Sequence, residues 1–258
     1  MSGTTSVILI TGFLGSGKTT FLNRIINNFP KHLKLTVLMN EFGEIGIDGT
    51  LVEGDDIDMM EISRGSIFCV CVKTDFIKGL YELNNKIKPD LLIIESTGVA
   101  NPADLKRDLQ LPIFANRFDF AEQFCIIDAP HFLEAFEVCA SVEKQLSTST
   151  VFIINKTDAA GSEMVEKIKD IIAEHHPAPR IFETTFADIP LKTFPSLLMS
   201  NRQEANDSVS IPVDTLSPQE LDKFISTILE NPELEATPPD QLASVTCTWC
   251  GKNLDEIK

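Results

Sequence analysis

Gly12-Phe13-Leu14-Gly15-Ser16-Gly17-Lys18-Thr19, followed by Thr20, is the stretch on which the reading of this chain turns. The apolar run Val7-Ile8-Leu9-Ile10 leads into it and an apolar-periodic segment leads out. The pattern Gly-x-x-x-x-Gly-Lys-[Ser/Thr] thus lies between a strand and a helix, the context a phosphate-binding loop requires. Its glycines let the backbone wrap with N–H groups pointing inward, which makes an anion nest at a helix N-terminus. On this reading Gly12, Leu14, Gly15, Ser16, Gly17, Lys18, Thr19 and Thr20 cradle the phosphates of a nucleotide. Lys18 reaches the terminal phosphates, and the Thr19 hydroxyl goes to a magnesium ion.

Outward from the loop, Phe21, Leu22, Ile25, Ile26 and Phe29 form one face of a helix that begins at Lys18 and ends at Pro30. A strand over Leu35–Met39 runs into Asn40-Glu41-Phe42-Gly43-Glu44-Ile45-Gly46-Ile47-Asp48-Gly49. That glycine- and carboxylate-rich loop reads either as a nucleotide-sensing switch or as an acidic connector. A short strand from Ile57 to Ile62, a cysteine-containing stretch and a helix from about Val72 to Ile87 follow. Leu91-Leu92-Ile93-Ile94 has the all-apolar character of a buried parallel strand. It delivers Glu95-Ser96-Thr97-Gly98 to its carboxyl end, where doubly wound sheets keep their ligands. Glu95 is expected to hold the magnesium, directly or through water, and the Gly98 N–H to meet the γ-phosphate. Further units are a strand over Gln123–Ile127 with a helix from His131 to Leu146, and a strand over Val151–Ile154 with a helix from Ser162 to His175. Arg180 to Phe182 makes one more strand. The alternation predicts an α/β fold of the P-loop NTPase type: a doubly wound, mostly parallel sheet covered on both faces.

Asn155-Lys156-Thr157-Asp158 comes immediately after the strand Val151–Ile154, on the same sheet edge as the phosphate loop. A carboxylate there accepts two hydrogen bonds from the N1–H and 2-amino group of guanine. Adenine offers no such donor pair and would leave the acid unpaired, so GTP is the expected nucleotide. Asn155 addresses the purine's other edge, and the Lys156 stem lies across the base.

Composition narrows the partners. The chain has 258 residues, 43% of them hydrophobic and 23% charged, with a formal net charge of −16. Such a field disfavours nucleic acid as a main partner. No apolar run is long enough to span a bilayer, and Met1-Ser2-Gly3-Thr4-Thr5 lacks a basic leader, so a cytoplasmic protein without a membrane partner is expected. Of the six cysteines, Cys125 and Cys139 lie in apolar stripes and read as core. The others form two close pairs, Cys69/Cys71 and Cys247/Cys250, suited to a soft metal ion rather than to disulfides. His131, His175 and His176 are left out of the ligand set; the last two stand at a helix C-terminus, where positive charge is favoured anyway.

Taken together and in order over about residues 5–200, Gly12–Thr19, Asn40–Asp48, Glu95–Gly98 and Asn155–Asp158 resemble the CobW-type branch of the metal-chaperone GTPases. That branch is similar to the HypB and UreG GTPases and to the nitrile hydratase activators, within the SIMIBI class. The resemblance implies a GTP- and Mg²⁺-dependent switch that cycles between GTP and GDP. It would carry a transition metal, Zn²⁺ or Co²⁺, to a client metalloprotein or cofactor-assembly protein, with a homodimer as a possible form. It further implies that Asp48 and Glu95 serve the magnesium and switch loops, and that Glu41 couples nucleotide to metal.

Two departures matter. Family members usually carry Gly-Cys-x-Cys-Cys, whereas Gly65-Ser66-Ile67-Phe68-Cys69-Val70-Cys71 stands here. Aligned on Gly65, Ser66 and Phe68 stand at the first two thiol positions and only Cys69 is retained. Slipping the register leaves Cys69-Val70-Cys71 as the Cys-x-Cys, and either way two thiolates stay close enough for one soft ion. Family members often carry a further β-rich domain, and here the expectation is a GTPase domain over 1–205 followed by only a short remnant extension over residues 206–258. In it Ser217-Pro218-Gln219-Glu220 is a capping box that opens a helix over 217–230. An acidic, proline-containing linker leads on to Cys247-Thr248-Trp249-Cys250. The two thiols of this tail are expected to complete a site with Cys69 and Cys71. No glutamine follows Gly98 to orient water, so intrinsic turnover is expected to be slow. The alternatives are a nucleotide-gated adaptor that remodels a client without metal and, less consistent with the lack of an Arg-rich lid, a phosphotransferase.

Overall fold

The computed structural model describes residues 4–39, 57–61, 70–96, 102–114, 117–198 and 217–229. Among them, seven strands form one sheet in which every neighbouring pair is parallel. They are β1 (Thr5–Gly12), β2 (Leu35–Met39), β3 (Ile57–Glu61), β4 (Leu91–Glu95), β5 (Phe118–Asp128), β6 (Val151–Asn155) and β7 (Arg180–Glu183), in the order β3-β2-β4-β1-β5-β6-β7. The chain begins in the middle of the sheet and builds outward to both sides. β1 therefore lies between β4 and β5, and the crevice beyond its carboxyl end is the place where such sheets bind ligands.

Alternate residues of the central strands serve opposite faces. Val7 and Leu9 of β1 pack with Leu92 and Ile94 of β4 against α2 (Val70–Glu82) and α3 (Pro102–Leu109). Ile8 and Ile10 face the other way, with Phe21, Leu22 and Ile25 of α1 (Lys18–Asn28). Phe124 of β5 is the hinge of that second layer, its ring centroid 5.0 Å from those of both Phe21 and Phe194. Toward the far edge, Cys125, Ile127, Phe152 and Ile154 pack against α4 (Phe132–Val138), α5 (Ala140–Thr148) and α6 (Ser162–His175). Strands buried on both faces are thus apolar in near-continuous runs, as parallel sheets require.

Several boundaries differ from the sequence reading. α2 starts at Val70, so Cys71 lies in its first turn rather than in the loop before it, and it continues as a π-helical turn over Leu83–Ile87. The helix expected from His131 to Leu146 is two helices. Cys139 between them is extended (φ −114°, ψ 104°), its N–H donating to Ala135 O and its carbonyl accepting from Val142 N. The spacing of the buried residues Phe132, Ala135, Cys139, Val142 and Leu146 suits one helix or two, so periodicity does not register the break. α3 and the short α7 (Pro195–Leu198) carry too few apolar residues to announce themselves.

The capping box is present at α8 (Pro218–Leu229): Ser217 N and Oγ donate to Glu220 Oε2 at 2.8 and 2.7 Å, and Glu220 N donates to Ser217 Oγ at 3.4 Å. These bonds hold the Glu220 carboxyl below its ordinary pKa. Leu221 and Ile225 are buried among Phe76, Ile77 and Leu80, and Asp222 pairs with Lys78 at 2.6 Å. The helix docks on α2 through this buried face.

Candidate functional site: a phosphate loop joined to the end of the sixth strand

The loop after β1 is shaped by two close approaches. Gly12 has φ +139°, and a Cβ there would collide with Ile126 O of β5. Gly17 has φ +105°, and its Cβ would collide with Asn155 Nδ2. Only glycine lets the loop lie this tightly against the ends of β5 and β6. The helix it opens, α1, has Gly17 at its N-cap, no side-chain capping bond and no acid in its first turn. α8, with its reciprocal Ser217/Glu220 cap, shows what an ordinary helix start does with those N–H groups. α1 keeps its N-terminal dipole unneutralised, which is the physical requirement for an anion site. Lys18 adds a full charge: its Nζ donates to Gly12 O and Phe13 O, each at 3.0 Å, so the ammonium is bound back across the loop.

Glu95 arrives at the same place on β4. Register pairing sets it beside Ile10 of β1, and Thr19 Oγ1 donates to its Oε1 at 3.4 Å. Its Oε2 is buried and has no hydrogen-bond partner among the described residues. Burial pushes the Glu95 carboxyl above its ordinary pKa, against the opposing pull of the Lys18 charge and the Thr19 hydroxyl.

Asn155 joins the two halves of the site. It is buried at the end of β6; Nδ2 donates to Ser16 O at 2.8 Å and Oδ1 accepts from Ala187 N at 2.8 Å. One side chain therefore ties the phosphate loop to the turn after β7. Asp158 is exposed, and its Oδ1 accepts from the Thr185 hydroxyl at 3.3 Å. Lys156 Nζ donates to Asp128 Oδ2 at 3.1 Å.

The turn Thr184–Asp188 belongs to the same edge, although the sequence reading does not include it in the site. Phe186 and Ala187 both have positive φ (56° and 53°), and the Phe186 side chain is left exposed. Arg24 Nε donates to Phe186 O at 2.7 Å, Arg24 Nη1 donates to Asp188 Oδ1 at 3.0 Å, and the Thr184 hydroxyl closes the turn on Asp188 O at 2.7 Å. Left-handed non-glycine residues persist where surroundings hold them, and here Arg24 of α1 and Asn155 of β6 do so. No sequence pattern announces this; only the contacts of Asn155 and Asp158 do.

Cys125 is buried in the core beside Ile127 and Phe152, and that burial pushes its thiol up to about 12. Cys139 is buried with Phe132 and Ala135. His175 stacks edge-on against Phe136, and His176 against Phe152. Among the described residues no group of three or more His, Cys, Asp or Glu side chains could hold a metal ion. Glu41, Asp48, Cys69, Gly98, Cys247 and Cys250 lie outside the described residues. No described helix is long and apolar enough to cross a membrane.

A family model for the CobW/HypB/UreG nucleotide-binding domain matches residues 6–183. The chain is 36% identical over 164 residues to the zinc chaperone YeiR of Escherichia coli (strain K12), covering 62% of this chain and 49% of YeiR. It is 27% identical over 224 residues to the zinc-regulated GTPase metalloprotein activator 1 of Dictyostelium discoideum, covering 72% of this chain and 47% of that protein. The chain thus spans about half the length of these two relatives. In fold it is similar to the crystal structure of the Zn(II)-bound YjiA GTPase from E. coli, with a TM-score of 0.58 at 22% identity over 88% of this chain and 77% of that one. The match covers β1 through β7, with the phosphate loop and Asn155–Asp158 inside it, and the chain belongs to the CobW/HypB/UreG family.

Proposed function

We propose that this chain binds and hydrolyses GTP and uses the cycle to carry a transition metal, Zn²⁺ or Co²⁺, to a client metalloprotein or cofactor-assembly protein. The observation that carries the reading is the bond from Asn155 to Ser16, which ties the Asn-Lys-x-Asp stretch to the phosphate loop through one side chain. Asp158 accepts the guanine donors, and Lys18 with the α1 dipole holds the transferring phosphoryl group, whose charge grows in the transition state. With no glutamine after Gly98, turnover by the chain alone is slow. The metal cargo rests on the Cys69/Cys71 and Cys247/Cys250 pairs and on the names of YeiR and the D. discoideum protein.

The residues present fit a magnesium ion. A buried carboxylate oxygen without a hydrogen-bond partner is costly, and Glu95 Oε2 is such an oxygen beside the Thr19 hydroxyl. Hard oxygen donors of this kind are what Mg²⁺ takes. Thr19 and Glu95 would hold it, with Asp48, and once bound it would neutralise charge on the phosphates.

Glu95 also makes the proposal testable through stability. A carboxyl whose folded pKa is raised contributes stability below its ordinary value of 4.5 and loses that contribution as pH rises through the folded value. At neutral pH the ionised group therefore opposes folding in metal-free protein. Glu95→Gln is expected to raise the metal-free Tm at pH 7.5 by about 2–4 °C, with no gain at pH 4, and to abolish Mg²⁺-dependent turnover. A lowered Tm at pH 7.5 would show that Glu95 is stabilised by partners in the fold instead.

The function itself is tested by anaerobic titration of the reduced chain with Zn²⁺, Co²⁺ and Ni²⁺, with and without a non-hydrolysable GTP analogue. Tight binding that changes with the analogue supports a GTP-gated carrier, and the Co²⁺ absorption spectrum counts the thiolates. GTP binding without metal binding would overturn metal carriage in favour of the adaptor reading that Ser66 and Phe68 raise. In the same titration, Cys247→Ser/Cys250→Ser is expected to lower the thiolate count by two and weaken Zn²⁺ binding by at least about 10-fold, as soft ions favour thiolates. Unchanged affinity and stoichiometry would remove the tail from the site.

A further inference from the structure

We propose that Asp128 is a positioning residue for the guanine site, acting through Lys156; the proposal rests on the GTP reading above. Asp128 is the last residue of β5, in register with Asn155 at the end of β6. It stands at the N-cap of the short turn Ala129–His131 but makes no capping bond with its side chain. The ordinary reason for an aspartate at such a position is therefore not in use. Its Oδ2 instead accepts from Lys156 Nζ at 3.1 Å and lies 3.1 Å from His131 Nδ1. Its Oδ1 is buried and has no hydrogen-bond partner among the described residues.

The two ends of the Lys156 pair are unequal. The Asp128 side chain is 9% exposed and that of Lys156 is 39% exposed, so the short buried carboxylate is the fixed end and the long lysine the adjustable one. Lys156 has φ +60°, a left-handed conformation uncommon for lysine. The residue after it is locked, with Thr157 N and Oγ1 both donating to Thr184 O at 3.2 and 3.1 Å. The lysine stem thus runs from the end of β6 back to the end of β5, where Asp128 lines the same cavity as Gly12 and Phe13 of the phosphate loop. Pinned at both ends, its methylenes form a pre-set wall for a flat base, and the rotamer freedom of a free lysine is lost before the nucleotide arrives. His131, whose side chain is 65% exposed, reaches the same oxygen from the solvent side and is not needed for this.

The test is equilibrium titration of the full chain with fluorescent N-methylanthraniloyl-GDP and -ADP in Mg²⁺, and with tripolyphosphate as competitor. The variants are Asp128→Asn, Asp128→Glu, Lys156→Met and the double Asp128→Asn/Lys156→Met. Asp128→Asn is expected to weaken the GDP analogue about tenfold, Asp128→Glu to recover most of that loss, and the double variant to bind no worse than Lys156→Met alone. Tripolyphosphate affinity should be unchanged, which a general distortion of the loop would not allow. Unchanged GDP binding in Asp128→Asn, losses that multiply in the double variant, or an equal loss for tripolyphosphate would each overturn the proposal. Wild-type protein that failed to distinguish the GDP from the ADP analogue would overturn the guanine reading, and this proposal with it. That result is told apart from failure of the proposal alone, in which the wild type discriminates and Asp128→Asn binds as well as it does.

Discussion

Replacing Lys18 by alanine is expected to lower GTP turnover about 10²- to 10³-fold, the usual cost of losing one preorganised charge-stabilising donor. Lys18 is the one cationic side chain of the loop, and its Nζ is already held there by Gly12 O and Phe13 O, where the proposed phosphates would lie. The α1 dipole contributes only partial charges, so it cannot substitute for the ammonium. Two competing effects are separable by measurement. The lost hydrogen bonds to two backbone carbonyls cost about 1 kcal/mol of stability, which in a chain of this size moves Tm by about 2–4 °C. A phosphate-release assay should therefore show a collapse in activity while the melting curve shifts by only those few degrees. Turnover within a factor of about three of wild type would mean that the loop does not carry the chemistry.

The second large effect is expected at Asp158. Guanine presents two adjacent donors, N1–H and the 2-amino group, and a carboxylate accepts from both. Asp158→Asn puts a donor against one of them, so GTP affinity should fall about 10²- to 10⁴-fold, in the range seen when a site built to hydrogen-bond its ligand is mismatched. Xanthine carries a carbonyl in place of the 2-amino group and can accept from the new carboxamide. The same variant should accordingly gain affinity for XTP. Thr185, whose hydroxyl bonds Asp158 Oδ1 at 3.3 Å, would only steer the acid, and that long bond is worth much less than the proposed base contacts. Competition of GTP, ATP and XTP against a fluorescent GDP analogue measures both changes. A uniform loss for all three nucleotides would point to a damaged turn instead of a base-reading acid.

Some parts of this site are legible along the chain because their chemistry is local. A phosphate loop needs glycines, a lysine and a hydroxyl within eight consecutive residues, and its strand and helix are announced by Val7–Ile10 and by the period of Phe21, Leu22 and Ile25. Asn155–Asp158 is likewise contiguous, and Leu91–Glu95 reads as a buried strand with an acid at its end. The capping box at Ser217 and the apolar face of α8 are equally plain. The break at Cys139 is not, because the buried spacing satisfies one helix as well as two.

The doubly wound parallel architecture, the phosphate loop, the acid at the end of β4 and the Asn-Lys-x-Asp stretch at the end of β6 all follow from the order of residues, since each depends on neighbours in the chain. How these parts are joined is a property of the folded molecule alone. Asn155 reaches Ser16 across 139 positions, Arg24 holds the turn after β7 across 162, and Asp128 pins Lys156 across 28. Such bonds follow from the order of strands in the sheet, which brings the carboxyl ends of β1, β5 and β6 side by side. No local pattern encodes that adjacency: it arises when apolar strands bury both faces, and the polar residues at their ends are carried into contact with them.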